Sequence, residues 1–132
     1  MSVKRGNLKR TLQGSNAVNC GGTGFFAAEA NDAVQALMNQ CVGGPTGGGA
    51  VGGNRDFYSL AGAGTSQLVA YFCNFSSMEN TCYADEVADA IQNRITGKCG
   101  QFQSGWDVAI DRAAQYGYEV ASANFCQRGI SG

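Results

Sequence analysis

Gln67-Leu68-Val69-Ala70-Tyr71-Phe72-Cys73-Asn74-Phe75 is the stretch on which the fold turns. Leu68, Ala70 and Phe72 fall on one side of an extended chain; Val69, Tyr71 and Cys73 fall on the other. Period two predicts a strand, and two apolar faces predict a central one, covered above and below. Residues 56–60 read as its partner strand. The connection Ala61-Gly62-Ala63-Gly64-Thr65-Ser66 predicts an antiparallel hairpin.

Helical periods flank the hairpin. Across 25–41, Phe26, Ala30, Ala33, Val34, Leu37 and Cys41 recur at steps of three and four, and Gly43 and Gly44 end the run. Core packing is expected for Phe25 and Phe26. Across 82–95, Val87, Ala90, Ile91 and Ile95 form a second stripe. Thr81 is placed to cap its start, with Asp85 and Glu86 at the positive end of the dipole. Gly97 is expected to close it, with Arg94 and Lys98 near the negative end. Residues 106–110 and 116–123 read as two further strands. Residues 1–19 are polar and aperiodic. Cys20-Gly21-Gly22-Thr23-Gly24 has no Gly-Lys-Ser/Thr after it and reads as a turn, not a phosphate loop. Residues 43–53, with seven glycines and Pro45, read as a surface loop. The order helix, strand, strand, helix, strand, strand predicts an α+β fold, an antiparallel sheet with two main helices packed on one face.

A chain of 132 residues suits one domain. We read 11–132 as that domain and 1–10 as a basic disordered terminus or pro-segment. Four of the nine basic residues lie in the first ten positions, Lys4, Arg5, Lys9 and Arg10, so the rest of the chain carries −5. Leu8-Lys9-Arg10-Thr11 looks like a site for a kexin-type processing protease. No apolar run follows Met1, so a signal peptide is expected to be missing already.

Composition excludes several functions. With no histidine, there is no Ser-His or Cys-His nucleophile pair and no histidine-ligated zinc. A formal net charge of −1 argues against a nucleic-acid partner. No apolar run approaches the ~18 residues of a membrane span, so stable membrane insertion is not expected. Cys20, Cys41, Cys73, Cys82, Cys99 and Cys126 are widely spaced and include no C-x-x-C. They read as three disulfides in an oxidising compartment, hence a secreted protein, with the connectivity open.

Asn74-Phe75-Ser76 is an N-glycosylation candidate. Asp85 and Asp89, and Asp107 and Asp111, lie four apart. Such pairs can do glycosidase work or hold calcium, but a solvated surface explains them more simply. Trp106 with Tyr58, Tyr116 and Tyr118 could form a sugar platform, although strand aromatics more often pack as core. Arg55 stands alone among acidic neighbours. Arg55, Tyr58 and Trp106 are the partner-surface candidates.

Taken in order, Asn19-Cys20-Gly21-Gly22, a helix ending at Cys41, the Ala70-Tyr71 strand, Cys99-Gly100 and Asn124-Phe125-Cys126 resemble the killer protein four-like family. That family comprises fungal killer toxins and related secreted effectors, and the resemblance spans 18–126. It implies a helix-on-sheet sandwich with left-handed split βαβ-type crossovers, a closing strand over 119–126, and bridges Cys20–Cys99, Cys41–Cys82 and Cys73–Cys126. It also implies a secreted, non-enzymatic protein without cofactor, a monomer acting on host plant or competing fungal cells, with membrane channels as one route. The family's channel-blocking lysine is not matched: residues 55–61 read Arg-Asp-Phe-Tyr-Ser-Leu-Ala, with Leu60 or a neighbour at its position. A carbohydrate- or cell-wall-binding module centred on Trp106 is the alternative.

Overall fold

The computed structural model describes residues 16–44, 49–64, 67–109 and 113–127. The Lys9-Arg10 site and Asp111 lie outside them. Among the described residues are seven strands and two main helical stretches. They are β1 (Asn16–Gly24), α1 (Ala27–Gln40), β2 (Ala50–Val51), β3 (Asp56–Ala61), β4 (Leu68–Asn74) and β5 (Asn80–Thr81). Then come α2 (Ala84–Ala88), a π-helical segment (Asp89–Ile95), α3 (Thr96–Cys99), β6 (Gln103–Ala109) and β7 (Ala114–Val120). A short helical turn, Phe125–Gln127, follows.

Five strands form one antiparallel sheet in the order β1-β6-β7-β4-β3. The pairings make β1 parallel to β3 at the opposite edge, and β4 parallel to β6 with β7 between them. Both helical crossovers are therefore split, α1 joining the edges and the α2–α3 stretch joining β4 to β6. The 67–75 reading holds closely. Every residue of β4 is buried, because β3 and β7 flank it and both faces are covered.

One face packs on the helices. Leu68, Ala70, Phe72, Tyr116 and Tyr118 meet Ala30, Val34, Leu37, Val87, Ile91 and Ile95. On the other face Val69, Tyr71 and Cys73 lie under Phe125 and Cys126, with Tyr58, Phe75 and Trp106 at the margin. Three bridges close, Cys20–Cys99, Cys41–Cys82 and Cys73–Cys126. They tie β1 to α3, the end of α1 to the approach to α2, and β4 to the closing turn. Bonds of this kind persist in oxidising surroundings.

Several expectations need correction. The glycine-rich 20–24 stretch is part of edge strand β1, not a turn, since a ladder needs backbone groups and not side chains. Its register slips between Cys20 and Gly24, where Gly22 takes a left-handed φ of 83° and Thr23 donates its N–H to Ser104 Oγ. Phe25 packs edge-on against Tyr118, but Phe26 at the start of α1 is 73% exposed. Within 43–53, Val51 is buried and β2 pairs with β5. Thr81 lies in β5, and Tyr83 takes the helix-start position. The second helical stretch runs through Gly97 and stops at Gly100, whose φ of 103° a side chain would resist. Strand β6 begins at Gln103 and β7 at Ala114, both earlier than expected. After Val120 the chain turns, so 119–126 is not one strand.

Candidate functional site

The sheet face away from the helices carries the candidate site. Alternation along β7 sends Gln115, Gly117 and Glu119 to this face and Tyr116 and Tyr118 to the core. On β6 Trp106 and Val108 share the open face, opposite Gly117 and Gln115. The Cys73–Cys126 bridge holds the closing turn over part of it. Phe125 stacks on Tyr71 with centroids 5.1 Å apart and meets Tyr58 edge-on at 5.5 Å. Between turn and sheet lies an open groove of ≈ 370 Å³, lined by Trp106, Val108, Gln115, Glu119, Asn124 and Phe125 among others.

Its floor is hydrogen-bonded. The Tyr71 hydroxyl donates to the Glu119 carboxylate at 2.6 Å, and the Gln115 amide donates to the Tyr71 oxygen at 3.4 Å. Gly117 makes this possible, because a Cβ there would stand 2.6 Å from the Tyr71 hydroxyl and 2.7 Å from the Gly105 carbonyl. The same glycine leaves the β7 position opposite the Trp106 indole without a side chain. Burial pushes the Glu119 carboxyl above its ordinary value, and the Tyr71 hydrogen bond opposes that shift. Burial, then the neighbouring Glu119 charge, pushes Tyr71 well above its own.

A second cavity of ≈ 260 Å³ lies on the helix side, between Ala30, Val34, Ile91, Thr96, Phe102 and Tyr118 among others. Burial raises the Tyr118 hydroxyl.

The four-aromatic platform does not assemble. Trp106 and Tyr58 share the open face three strands apart, while Tyr116 and Tyr118 are buried beneath the helices. Arg55 is exposed just before β3. Of the carboxylates in the candidate pairs and beside them, several are engaged by other groups. Asp107 is fully buried and pairs with Arg94 at 2.6 Å. Asp89 accepts from Asn93, and Glu86 accepts from the Tyr116 hydroxyl in the core. Among the described residues the one group with metal-ligand spacing is Asp56, Cys73 and Cys126, and its cysteines are bonded to each other.

The asparagine of the sequon lies in the interior. Asn74 is fully buried, and its amide nitrogen donates to the carbonyls of Val51, Gly52 and Met78 at 3.1, 3.0 and 2.9 Å. A glycan on that nitrogen is incompatible with this structure. Leu60 is 40% exposed on edge strand β3. No helix among the described residues is long and apolar enough to cross a membrane.

The Tyr71–Glu119–Gln115 cluster went unread in the sequence. Its one signal was the polar face of β7, Gln115-x-Gly117-x-Glu119, which alternation alone makes visible.

No family model matches this chain. No curated protein and no solved structure was found to be similar to it.

Proposed function

We propose that this chain is a secreted, non-enzymatic effector of the killer-toxin-like kind, acting outside cells on host plant or competing fungal cells. The observation that carries the reading is the placement of the three bridges. One locks each helical stretch to the sheet or to the other helix, and one locks the closing turn, so a small core is held without further partners. The same pairs are those the family resemblance implies, and the split helix-on-sheet arrangement agrees with it.

The protein works through its surface. Asp107 and Glu86 are consumed in core contacts with Arg94 and Tyr116 and serve the fold. A cationic plug of an ion channel is not part of the proposal, because Leu60 and its neighbours supply no lysine. The open-face groove is the surface through which contact is made.

The test is to apply the purified, bridge-intact protein to fungal cultures and to infiltrate it into leaves, beside a reduced and alkylated sample. Growth inhibition or a leaf response from the bridged form alone is expected. Free thiols in the natively produced protein, or no response in either assay, would overturn the reading.

A further inference from the structure

We infer that the open-face groove binds a neutral, β-linked oligosaccharide of glucose-type sugars, with Trp106 as the stacking surface. The inference rests on the reading that the protein acts outside cells, and it names the target chemistry of that same groove.

The lining sets the ligand class. Ligand sites combine an apolar wall with a few convergent polar groups. Here Trp106, Val108 and Phe125 give the wall, and Gln115, Asn124 and Glu119 give the polar groups. Planar amides and carboxyls each match a pair of neighbouring hydroxyls, since an amide offers both donor and acceptor. A sugar ring with every hydroxyl equatorial presents C–H groups on its faces, and such a face lies flat on an indole. The β-linkage through equatorial bonds leaves these faces accessible along the chain, which suits an open groove.

The surroundings favour stacking at Trp106. Its partner on β7 is Gly117, which carries no side chain to cover the ring on that flank. Gly117 is itself demanded by the Tyr71 hydroxyl. The bond to Glu119 therefore fixes the carboxyl, and the Tyr71 hydroxyl takes the space over Gly117, while Trp106 lines the groove beside them. The floor is held before any ligand arrives, which reduces the ordering lost on binding.

A cationic side chain or headgroup is the competing occupant, given the aromatic wall. It is disfavoured because, among the described lining residues, the one carboxylate is engaged by Tyr71 and raised by burial, while the other polar side chains are neutral amides.

The chain has a single tryptophan, so the test reads directly from the proposed contact. Trp106 emission is followed while cellotetraose, chitotetraose or laminaritetraose is titrated, with α-linked maltotetraose beside them. The three β-linked arms distinguish plain glucans from acetylated amino-sugar polymers. A saturable change is expected with at least one β-linked arm and none with maltotetraose, unaffected by added salt as befits a neutral ligand. Gln115→Ala retains the reporter and is expected to weaken binding about fivefold. No saturable change with any β-linked arm would overturn the inference, as would undiminished binding by folded Gln115→Ala. A strongly salt-sensitive response would do so too. Sugar binding without any effect on cells would leave this inference standing and remove the effector reading; a cell effect without sugar binding would do the reverse.

Discussion

Asn74→Asp is the substitution whose outcome the structure specifies most fully. The parent amide donates to three carbonyl oxygens, and its own oxygen accepts the Ser76 N–H at 2.9 Å. The change keeps the shape and replaces the donor end by an acceptor. Hydrogen bonds worth about 1 kcal/mol each are lost, and a carboxyl oxygen is set against the three carbonyl oxygens. We expect a loss of about 3 kcal/mol at neutral pH, roughly a 10 °C fall in Tm. The new carboxyl is buried among acceptors, so its charged form is disfavoured and its folded pKa rises above the ~3.9 of the unfolded chain. A group shifted this way stabilises fully below its unfolded pKa and loses that contribution as pH rises. The penalty should therefore shrink toward pH ~4, where a protonated carboxyl returns one donor. Urea unfolding of variant and parent with bridges intact, at acid and neutral pH, measures both quantities. A difference under about 1 kcal/mol, or one equal at both pH values, would refute the idea that this amide holds the β2 and β5 approaches to the sheet.

Four further outcomes follow from the same geometry. Intact mass of the protein from a glycosylating eukaryotic host should show Asn74 unmodified; an occupied site would mean that this residue is not buried as described. Gly117→Ala should cost about 1–3 kcal/mol by overpacking, and adding Tyr71→Phe should recover only part of it, because the Gly105 carbonyl still blocks the new methyl. Arg94→Met leaves the Asp107 carboxylate buried without its guanidinium; about 3 kcal/mol should be lost in chemical unfolding and largely regained on adding Asp107→Asn. Glu119 is raised above its ordinary 4.5, so ionising it opposes folding: parent stability should decline as pH rises from about 4.5 through the raised native value, and Glu119→Gln should flatten that decline.

What could be read from the sequence was whatever depends on local period. The β4 alternation and the Val87, Ala90, Ile91, Ile95 stripe each declare a buried surface, and together they required helices on a sheet. Edge strand β1 stayed hidden because Gly21, Gly22 and Gly24 carry no side chains to alternate, while their backbone groups pair with β6 regardless. The helix boundary was misplaced at Gly97 because a helix tolerates glycine there at modest cost, whereas Gly100 takes a left-handed φ. The candidate site was less legible. Trp106 was visible as a residue, but its pairing with Gly117 depends on the β6–β7 register, which the local periods alone do not fix. For the same reason Arg94 looked like a partner of the helix dipole, although its carboxylate lies thirteen residues on. The sequon Asn74-Phe75-Ser76 looked like surface chemistry, and only the burial of Asn74 against the carbonyls of Val51, Gly52 and Met78 shows it to be interior.

The bridges overlap along the chain in a way that bears on durability. Cys20 reaches Cys99, Cys41 reaches Cys82 and Cys73 reaches Cys126. Wherever the backbone is nicked once between Cys20 and Cys126, at least one sulfur link still spans the gap. Between Cys73 and Cys82 all three do. A single encounter with a protease thus releases no fragment from this region, and the damage shows on a gel only after reduction.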